Sequence, residues 1–520
     1  MKKERNHLKK KTLLLLLPLL LLFGGCQSKE PAAKDGEVTS IHLMRNDFTD
    51  VRPKSQDLWM WQEYEKKTGI KVDWEEVKEF GEKKNLILSG KLPDAFYQTG
   101  WSNDEIVKYG KQGLFLALDD LIPEHAPNLQ KILDEHPDVK QTLTAPDGHI
   151  YSLPYMSLDP MSGGRTVRLY INQEWLDELN LEIPRTTEEL KTVLSAFVSS
   201  EQGREGYYMP SGWLAGGLEK ILMASYGLGT GGRQAMGNMI FVDEQGELQL
   251  TINHERMKEV WQYLRELYAD GLVAKQSFAG VDDDKWRADA AQGKVGLFQW
   301  VDPDYIGPFG PDTYTPINVI EGPYGDKTLY TEPPVSGTSA FIVTKDAQNP
   351  GKLLEWVDYF YGPEGQEFAY LGEEGVTYEV DENGNKVYID EILNYQNGAQ
   401  LGAFQWVDNV YGGYFPYAEL DQDIRDIAFG KEPAVYDDVK DEYMPEYLLP
   451  NFMATQEEAS ELSTISTDIG THLEQSRVKF ITGEWNFEKD WDNYVQQLDK
   501  IGAQRLLELR RQQFERFLSE

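Results

Sequence analysis

Cysteine is almost missing from this chain: its 520 residues hold one, at position 26. A lone thiol excludes a disulfide within the chain and any zinc site built on cysteines. Histidine is scarce too, and the seven, at positions 7, 42, 125, 136, 149, 254 and 472, show no paired metal-ligand spacing. Neither a metal nor a cofactor is expected. Basic residues are outnumbered, 51 Lys and Arg against 87 Asp and Glu, for a formal net charge of −36. Such a surface repels nucleic acid and anionic lipid and stays dispersed. Also lacking are a Gly-x-Ser-x-Gly elbow, a His-Glu-x-x-His helix and a Gly-x-x-x-x-Gly-Lys phosphate loop. A pair of carboxylates at glycosidase spacing can always be nominated among so many, so their number decides nothing.

What is present starts at the amino end. Lys2, Lys3, Arg5, Lys9, Lys10 and Lys11 precede an apolar run from Leu13 to Phe23, the shape of a signal peptide. The run is about half of the roughly 20 residues needed to span a hydrocarbon core. It ends at Phe23-Gly24-Gly25-Cys26, which resembles a bacterial lipobox, so cleavage before Cys26 and acylation of its thiol are expected. Residues 26–36 read as a polar tether. The chain would then be anchored by lipid at the extracytoplasmic face of the cell membrane. Residues 1–25 carry a net +5, so the chain beyond them carries −41. The 495 residues left of the 520 exceed one ordinary core, and two or more domains are expected.

Periodicity then predicts an α/β chain. Val38 to Met44 reads as a strand, Ser55 to Lys67 as a helix closed by Gly69, Ile70 to Trp74 as a strand, Glu79 to Ser89 as a helix, and Ala95 to Tyr97 as a third strand. This βαβαβ order opens a doubly wound sheet, in which ligands sit beyond the carboxyl ends of the strands. The pattern resumes with a strand at Thr166 to Ile171 and helices at Gln173 to Leu179 and Thr187 to Ser199, the latter behind a Thr186-x-x-Glu189 capping box. Glu255 to Asp270 reads as an amphipathic helix, Lys294 to Trp300 and Ser339 to Thr344 as strands. Glu244 to Glu247 and Glu382 to Asn385 read as hairpin turns.

Several blocks follow one another in a familiar order. Glu63-Tyr-Glu-Lys-Lys-Thr-Gly-Ile-Lys-Val-Asp-Trp-Glu leads to Leu88-Ser-Gly-Lys-Leu-Pro-Asp-Ala-Phe and Gly113-Leu-Phe-Leu-Ala-Leu-Asp-Asp-Leu-Ile. Then come Asp147-Gly-His-Ile-Tyr-Ser-Leu-Pro-Tyr, Ile171-Asn-Gln-Glu-Trp-Leu, Leu267-Tyr-Ala-Asp-Gly-Leu-Val and Asp490-Trp-Asp-Asn-Tyr-Val. Together they resemble family 1 extracellular solute-binding proteins, above all the large Gram-positive lipoproteins of oligosaccharide ABC importers and the alginate-oligosaccharide binders. The resemblance implies two α/β lobes joined by hinge crossovers with a ligand between them: residues 37–157 and 335–372 in the first lobe, 158–334 and 373–520 in the second with C-terminal helices. It also implies a monomer that binds a carbohydrate and hands it to the permease subunits of an importer. A sensor lipoprotein would share the fold. Where relatives carry an acidic calcium loop, this chain reads Glu201-Gln-Gly-Arg-Glu-Gly-Tyr-Tyr, with Arg204 among the would-be ligands, so calcium is not expected.

Sugars pair apolar C–H faces with a rim of hydroxyls, which suits aromatic platforms beside planar hydrogen-bonding groups. The chain holds 13 Trp and 28 Tyr. Arg45 and Asn46 follow the first strand, and Gln98, Trp101, Ser102 and Asn103 follow the third, where an open sheet binds ligand. In sugar-binding relatives a Trp matching Trp300 stacks on a ring. Tyr155 lies near the first crossover. Ser211 to Gly217, with Trp213, and Trp406 to Tyr417, with Tyr411 and Tyr414, mix aromatics with glycine, which lets backbone approach closely. Tyr417 reads more as packing. Arg45 and Arg165 could each fork the carboxylate of a uronate ligand. No catalytic residue is assigned; a secreted glycoside hydrolase or polysaccharide lyase is the rival class.

Overall fold

The computed structural model describes residues 39–519 apart from 159–166, 211–216, 230–238, 279–280, 301–302, 308, 318, 397, 409–414, 420–423, 425–426, 428–439 and 446–447. Cys26 and the leader therefore lie outside the described residues.

The opening βαβαβ unit forms as the pattern predicts. β1 (Ser40–Asn46) is followed by the helix Trp59–Thr68, β2 (Lys71–Val77), the helix Phe80–Leu88 and β3 (Ala95–Tyr97). Gly69 closes the first of these helices at φ 69°, a left-handed conformation that a side chain would resist, and its N–H caps the Glu65 carbonyl. β1 lies parallel to both β2 and β3. Further along come β4 (Leu153–Ser157), β5 (Arg168–Asn172), β6 (Glu205–Tyr207), β7 (Ile240–Val242), β8 (Leu248–Leu250), β9 (Val295–Trp300) and β10 (Tyr314–Ile317). β11 (Val335–Val343), β12 (Tyr378–Val380), β13 (Lys386–Tyr388) and β14 (Ala418–Glu419) complete the strands.

Two main sheets result, ordered β14-β4-β11-β3-β1-β2 and β10-β5-β9-β6. Each is mixed, because β11 runs antiparallel to β3 and β4, and β5 antiparallel to β9 and β10. The strand directions put the carboxyl ends of β1, β3, β4 and β14, with the amino end of β11, on one edge of the first sheet. In the second sheet the carboxyl ends of β6, β9 and β10 share an edge with the amino end of β5. The chain crosses between lobes from β4 to β5, from β10 to β11, and after β14, so each crossing leaves or enters through these same two edges. Two α/β lobes thus present strand ends to each other across a hinge, the geometry in which such sheets hold ligands.

The second lobe's core runs without a break into the C-terminal helices Gln456–Thr482, Phe487–Ile501 and Ala503–Ser519. The helix Glu255–Ala269 buries Met257, Val260, Trp261, Leu264 and Leu267, one face at helical spacing. Trp261 is fully buried, and its indole N–H donates to Glu219 at 2.6 Å while Arg477 pairs with the same carboxylate at 3.2 Å. One expected boundary moves. β13 and β14 attach to first-lobe elements: Tyr388 donates to the Tyr370 carbonyl at 2.7 Å, Lys386 pairs with Glu367 at 2.8 Å, and β14 lies along β4. The capping box at Thr186 forms only in half. Its hydroxyl accepts from Glu189 N–H at 3.1 Å, but the Glu189 carboxylate reaches the N–H of Arg185.

Candidate functional site

The first lobe's strand ends are closed by a buried ionic cluster. Arg45, fully buried, points both terminal nitrogens at Asp408, 363 residues away, and one also at the side-chain Oε1 of Gln98. Asp408 is fully buried as well and accepts from the Trp61 indole at 2.8 Å; the Arg52 Nε stands 3.3 Å from it. Arg52 also faces Glu76 at 3.8 Å, so two guanidiniums meet two carboxylates and the cluster is neutral. Burial, together with the nearby Arg45, brings the Arg52 guanidinium down to about 10 against the opposing pull of Asp408 and Glu76, so it stays charged at neutral pH.

This arrangement corrects the expectation for Arg45. Its fork is already filled by Asp408, and a guanidinium shut away from solvent and neutralised within the core has nothing to offer a uronate. Gln98 is corrected likewise: it is 1% exposed and accepts from Arg45, and its φ of 53°, rare for a residue with a side chain, turns the chain sharply after β3. Trp101 is also not a platform. It is 3% exposed and packs edge-on against Phe80, Phe96, Tyr109 and Phe115 at 5.2 to 5.7 Å between ring centroids. A loop that must seal a core after a short strand drew its tryptophan inward, the commoner fate of that residue.

The remaining first-lobe candidates hold the edge together. Asn46 donates to the Gln98 carbonyl at 2.7 Å, tying the ends of β1 and β3. Ser102 caps the helix Asn103–Lys111 in a full box with Glu105. Asn103 accepts from Thr338 and donates to the Phe452 carbonyl at 3.3 Å, joining that helix to β11 and to a crossover. Tyr155 is buried with its ring 5.1 Å from Tyr417, itself buried. Trp406 is half-buried, and its carbonyl accepts from the Met60 N–H at 3.1 Å. Arg165, Trp213, Tyr411 and Tyr414 lie outside the described residues.

The second lobe's edge differs. Trp300, the last residue of β9, is half-buried and stacks on Tyr305, with ring centroids 3.9 Å apart and planes 17° from parallel. Next to it Gly217 lies so close to Gln299 that an added Cβ would stand 1.9 Å from the amide nitrogen, so a larger residue there would push the end of the Gln299 side chain aside. Tyr305 and Asp408 escaped the reading of the sequence. For Tyr305 a signal existed, an aromatic returning five residues after a strand-ending tryptophan in a Pro- and Gly-rich turn. For Asp408 the signal was the one carboxylate in an aromatic segment, but its partners are hundreds of residues away.

A cavity of about 580 Å³ lies elsewhere, beside the β7–β8 hairpin and two crossovers, and is lined by Asp243, His254, Arg256, Asp326, Pro333 and Leu449 among others. Three of its charged groups are already engaged, Asp243 by Gln249 at 2.9 Å and Arg256 by Asp326 at 3.1 Å. It shares no residue with the strand edges and offers no aromatic face, since Phe241 is 4% exposed. We therefore place the candidate site at the strand edges. Among the described residues no cluster of His, Cys, Asp and Glu could hold a metal. No helix among them is long and apolar enough to cross a membrane.

The chain is 29% identical over 490 residues to the fructooligosaccharide ABC transporter substrate-binding protein FusA of Streptococcus pneumoniae, covering 88% of this chain and 86% of that one. The structure of FusA in complex with kestose superposes with a TM-score of 0.73 at 26% identity, over 92% of this chain and 99% of the other. Lipoprotein LipO of Bacillus subtilis is 23% identical over 533 residues, 96% of this chain and 97% of LipO. The alginate-binding protein AlgQ2, solved without calcium ion, shares the fold at a TM-score of 0.71 and 20% identity, over 92% of this chain and 99% of its own. A family model described as bacterial extracellular solute-binding protein matches residues 53–367. With two lobes hinged at their strand ends and that match across more than half its length, the chain belongs to the bacterial extracellular solute-binding protein family.

Proposed function

We propose that this protein captures a neutral oligosaccharide between its two lobes and delivers it to the permease of an ABC importer. The observation that carries the reading is the likeness to FusA along nearly the whole of both chains. Trp300 supports it, since a partly accessible indole at a strand end suits the C–H face of a sugar ring. The occupied Arg45 fork favours a neutral ligand over a uronate, because a buried carboxylate needs a cationic partner. The protein acts by binding alone, without catalysis, as a monomer anchored through an acylated Cys26 with its lobes outside the membrane. Closure of the hinge on ligand buries the sugar and presents a compact shape to the permease.

Thermal-shift and calorimetric titration with kestose and other neutral oligosaccharides, beside oligogalacturonates and alginate oligosaccharides, tests the ligand class. A rise in melting temperature confined to neutral sugars is expected. A response to uronates alone would overturn it, and release of shorter sugars by the pure protein would establish a hydrolase. Cys26→Ser should move the protein from the membrane fraction to the medium.

A further inference from the structure

We propose that Tyr305, backed by Arg287, is a positioning residue that fixes the Trp300 ring as a rigid platform for a sugar ring; this rests on the carbohydrate reading above. The contact is the closest ring pair among the described residues, at 3.9 Å, with the next at 4.7 Å. Tyr305 is reached by the turn Pro303–Ile306, which folds the chain back beneath the end of β9.

Contacts from one helix hold Tyr305 in place. The Arg287 guanidinium lies 4.5 Å from its ring centroid, the Arg287 Nε donates to its carbonyl at 2.9 Å, and its hydroxyl donates to Asp283 at 3.2 Å. Both partners sit on the helix Asp283–Ala290, whose first turn is capped by Asp282 accepting from the Lys285 N–H at 2.8 Å. That helix is pinned to the core by Trp286, fully buried, whose indole donates to the Tyr208 carbonyl at 2.8 Å. A continuous path of packing therefore runs from the lobe's core through Arg287 and Tyr305 to the face of Trp300.

The consequence is preorganisation. A partly accessible indole with rotamer freedom would have to be ordered when a sugar stacks on it, whereas a ring already held flat avoids that cost. Removing Tyr305 should weaken sugar binding roughly tenfold, with the lobe still folded. Tyr305→Phe keeps the stack and the cation contact and should bind within about threefold of wild type.

The test uses the full-length mature chain labelled with 5-fluorotryptophan, the Trp300 resonance being assigned by its loss in Trp300→Phe. Without sugar, the Trp300 line should be narrow in wild type and Tyr305→Phe and broadened or shifted in Tyr305→Ala. Calorimetry with kestose and a panel of neutral oligosaccharides then reads affinity. Loss of binding in Trp300→Ala, a roughly tenfold loss in Tyr305→Ala and recovery in Tyr305→Phe support the proposal. If Trp300→Ala abolishes binding while Tyr305→Ala binds within about twofold and its fluorine line is unmoved, the stack is packing only, and the carbohydrate reading stands without it. If wild type binds none of the sugars, both fail. Should Tyr305→Ala not fold, Tyr305→Leu replaces it, keeping bulk and losing the ring.

Discussion

The two lobes finish their strand ends in opposite ways. The first closes its edge with charge: Arg45, Arg52, Glu76 and Asp408 meet in a buried neutral cluster that ties β1 to a segment more than 360 residues on. The second closes its edge with rings, Trp300 on Tyr305 under Arg287, and leaves one partly exposed. Polar residues after a strand are therefore not by that fact ligand donors. In the first lobe they solve a topological problem, since the returning residues around Asp408 would otherwise lie against the sheet with little to register them. A buried ionic network sets that register, and a shared partner such as Asp408 makes each pair depend on the others.

Removing the shared partner should produce the largest effect. Asp408→Ala leaves two guanidiniums buried without their carboxylate and should cost about 3–5 kcal/mol in equilibrium urea unfolding. Asp408→Asn keeps the shape and some hydrogen bonds and should cost less. A loss below about 1 kcal/mol for the alanine variant would mean that the cluster is hydrated and that the contrast between the lobes is smaller than drawn.

A second prediction sharpens the comparison from the other lobe. Asp289 sits just before β9 on the helix that supports Tyr305. Burial pushes its carboxyl up, but hydrogen bonds from Lys285, Lys294 and Tyr208 outweigh this and bring it down to about 2, from an ordinary value of 3.8. Since the folded value is the lower one, its stabilisation is present above pH 3.8 and is lost as the pH falls through that value toward 2. Two lysines that are themselves partly exposed temper the gain to on the order of 1–2 kcal/mol. Asp289→Asn should lower stability by that amount at pH 7 and flatten the acid limb of the unfolding curve between about pH 4 and 2. An unchanged acid limb would show that the carboxylate is not held by its lysines.

Much of the fold was legible because it is written locally. The helix Gln173–Leu179 and the strand Ala95–Tyr97 fall where periodicity and capping residues put them, and both hairpin turns form. The Asp381 carboxylate accepts from the N–H groups of Asn383 and Asn385 at 2.8 Å and so holds the second of these turns. The antiparallel entry of β11 was not legible, since strand direction depends on how the chain recrosses the hinge. The site was read less well for the same reason. Arg45 and Trp101 stand at the right sheet edge, but whether a side chain there faces a cleft or a core depends on what distant chain arrives to cover it, and Asp408 and Phe115 arrive from 363 and 14 residues away. Trp300 is reported on by its own neighbours, which is why its position could be reasoned from the strand it ends.

The smallest predicted effect concerns an arginine the second lobe keeps near its surface. Arg204 stands in the segment Glu201 to Tyr208, where relatives carry a calcium loop, and its contacts are those of a built-in cation. One nitrogen donates to Glu178 at 2.6 Å and another to the Ser200 hydroxyl at 2.8 Å, Glu201 lies at 3.5 Å, and the guanidinium covers the buried Trp175 ring at 4.4 Å. A bound calcium would gather carboxylates into one oxygen cage, whereas here a fixed positive charge already occupies their reach. Both carboxylates are more than half exposed, so the ion pairs contribute little, and the ring contact supplies most of what remains. Arg204→Ala should therefore cost only about 1 kcal/mol, less at high salt, in the same urea titration. Adding calcium or EDTA to wild type should leave the melting temperature where it was. A calcium-dependent rise in wild type would place an ion on residues other than this loop's, while a rise that appears only in Arg204→Ala would show that the arginine holds the place of the metal.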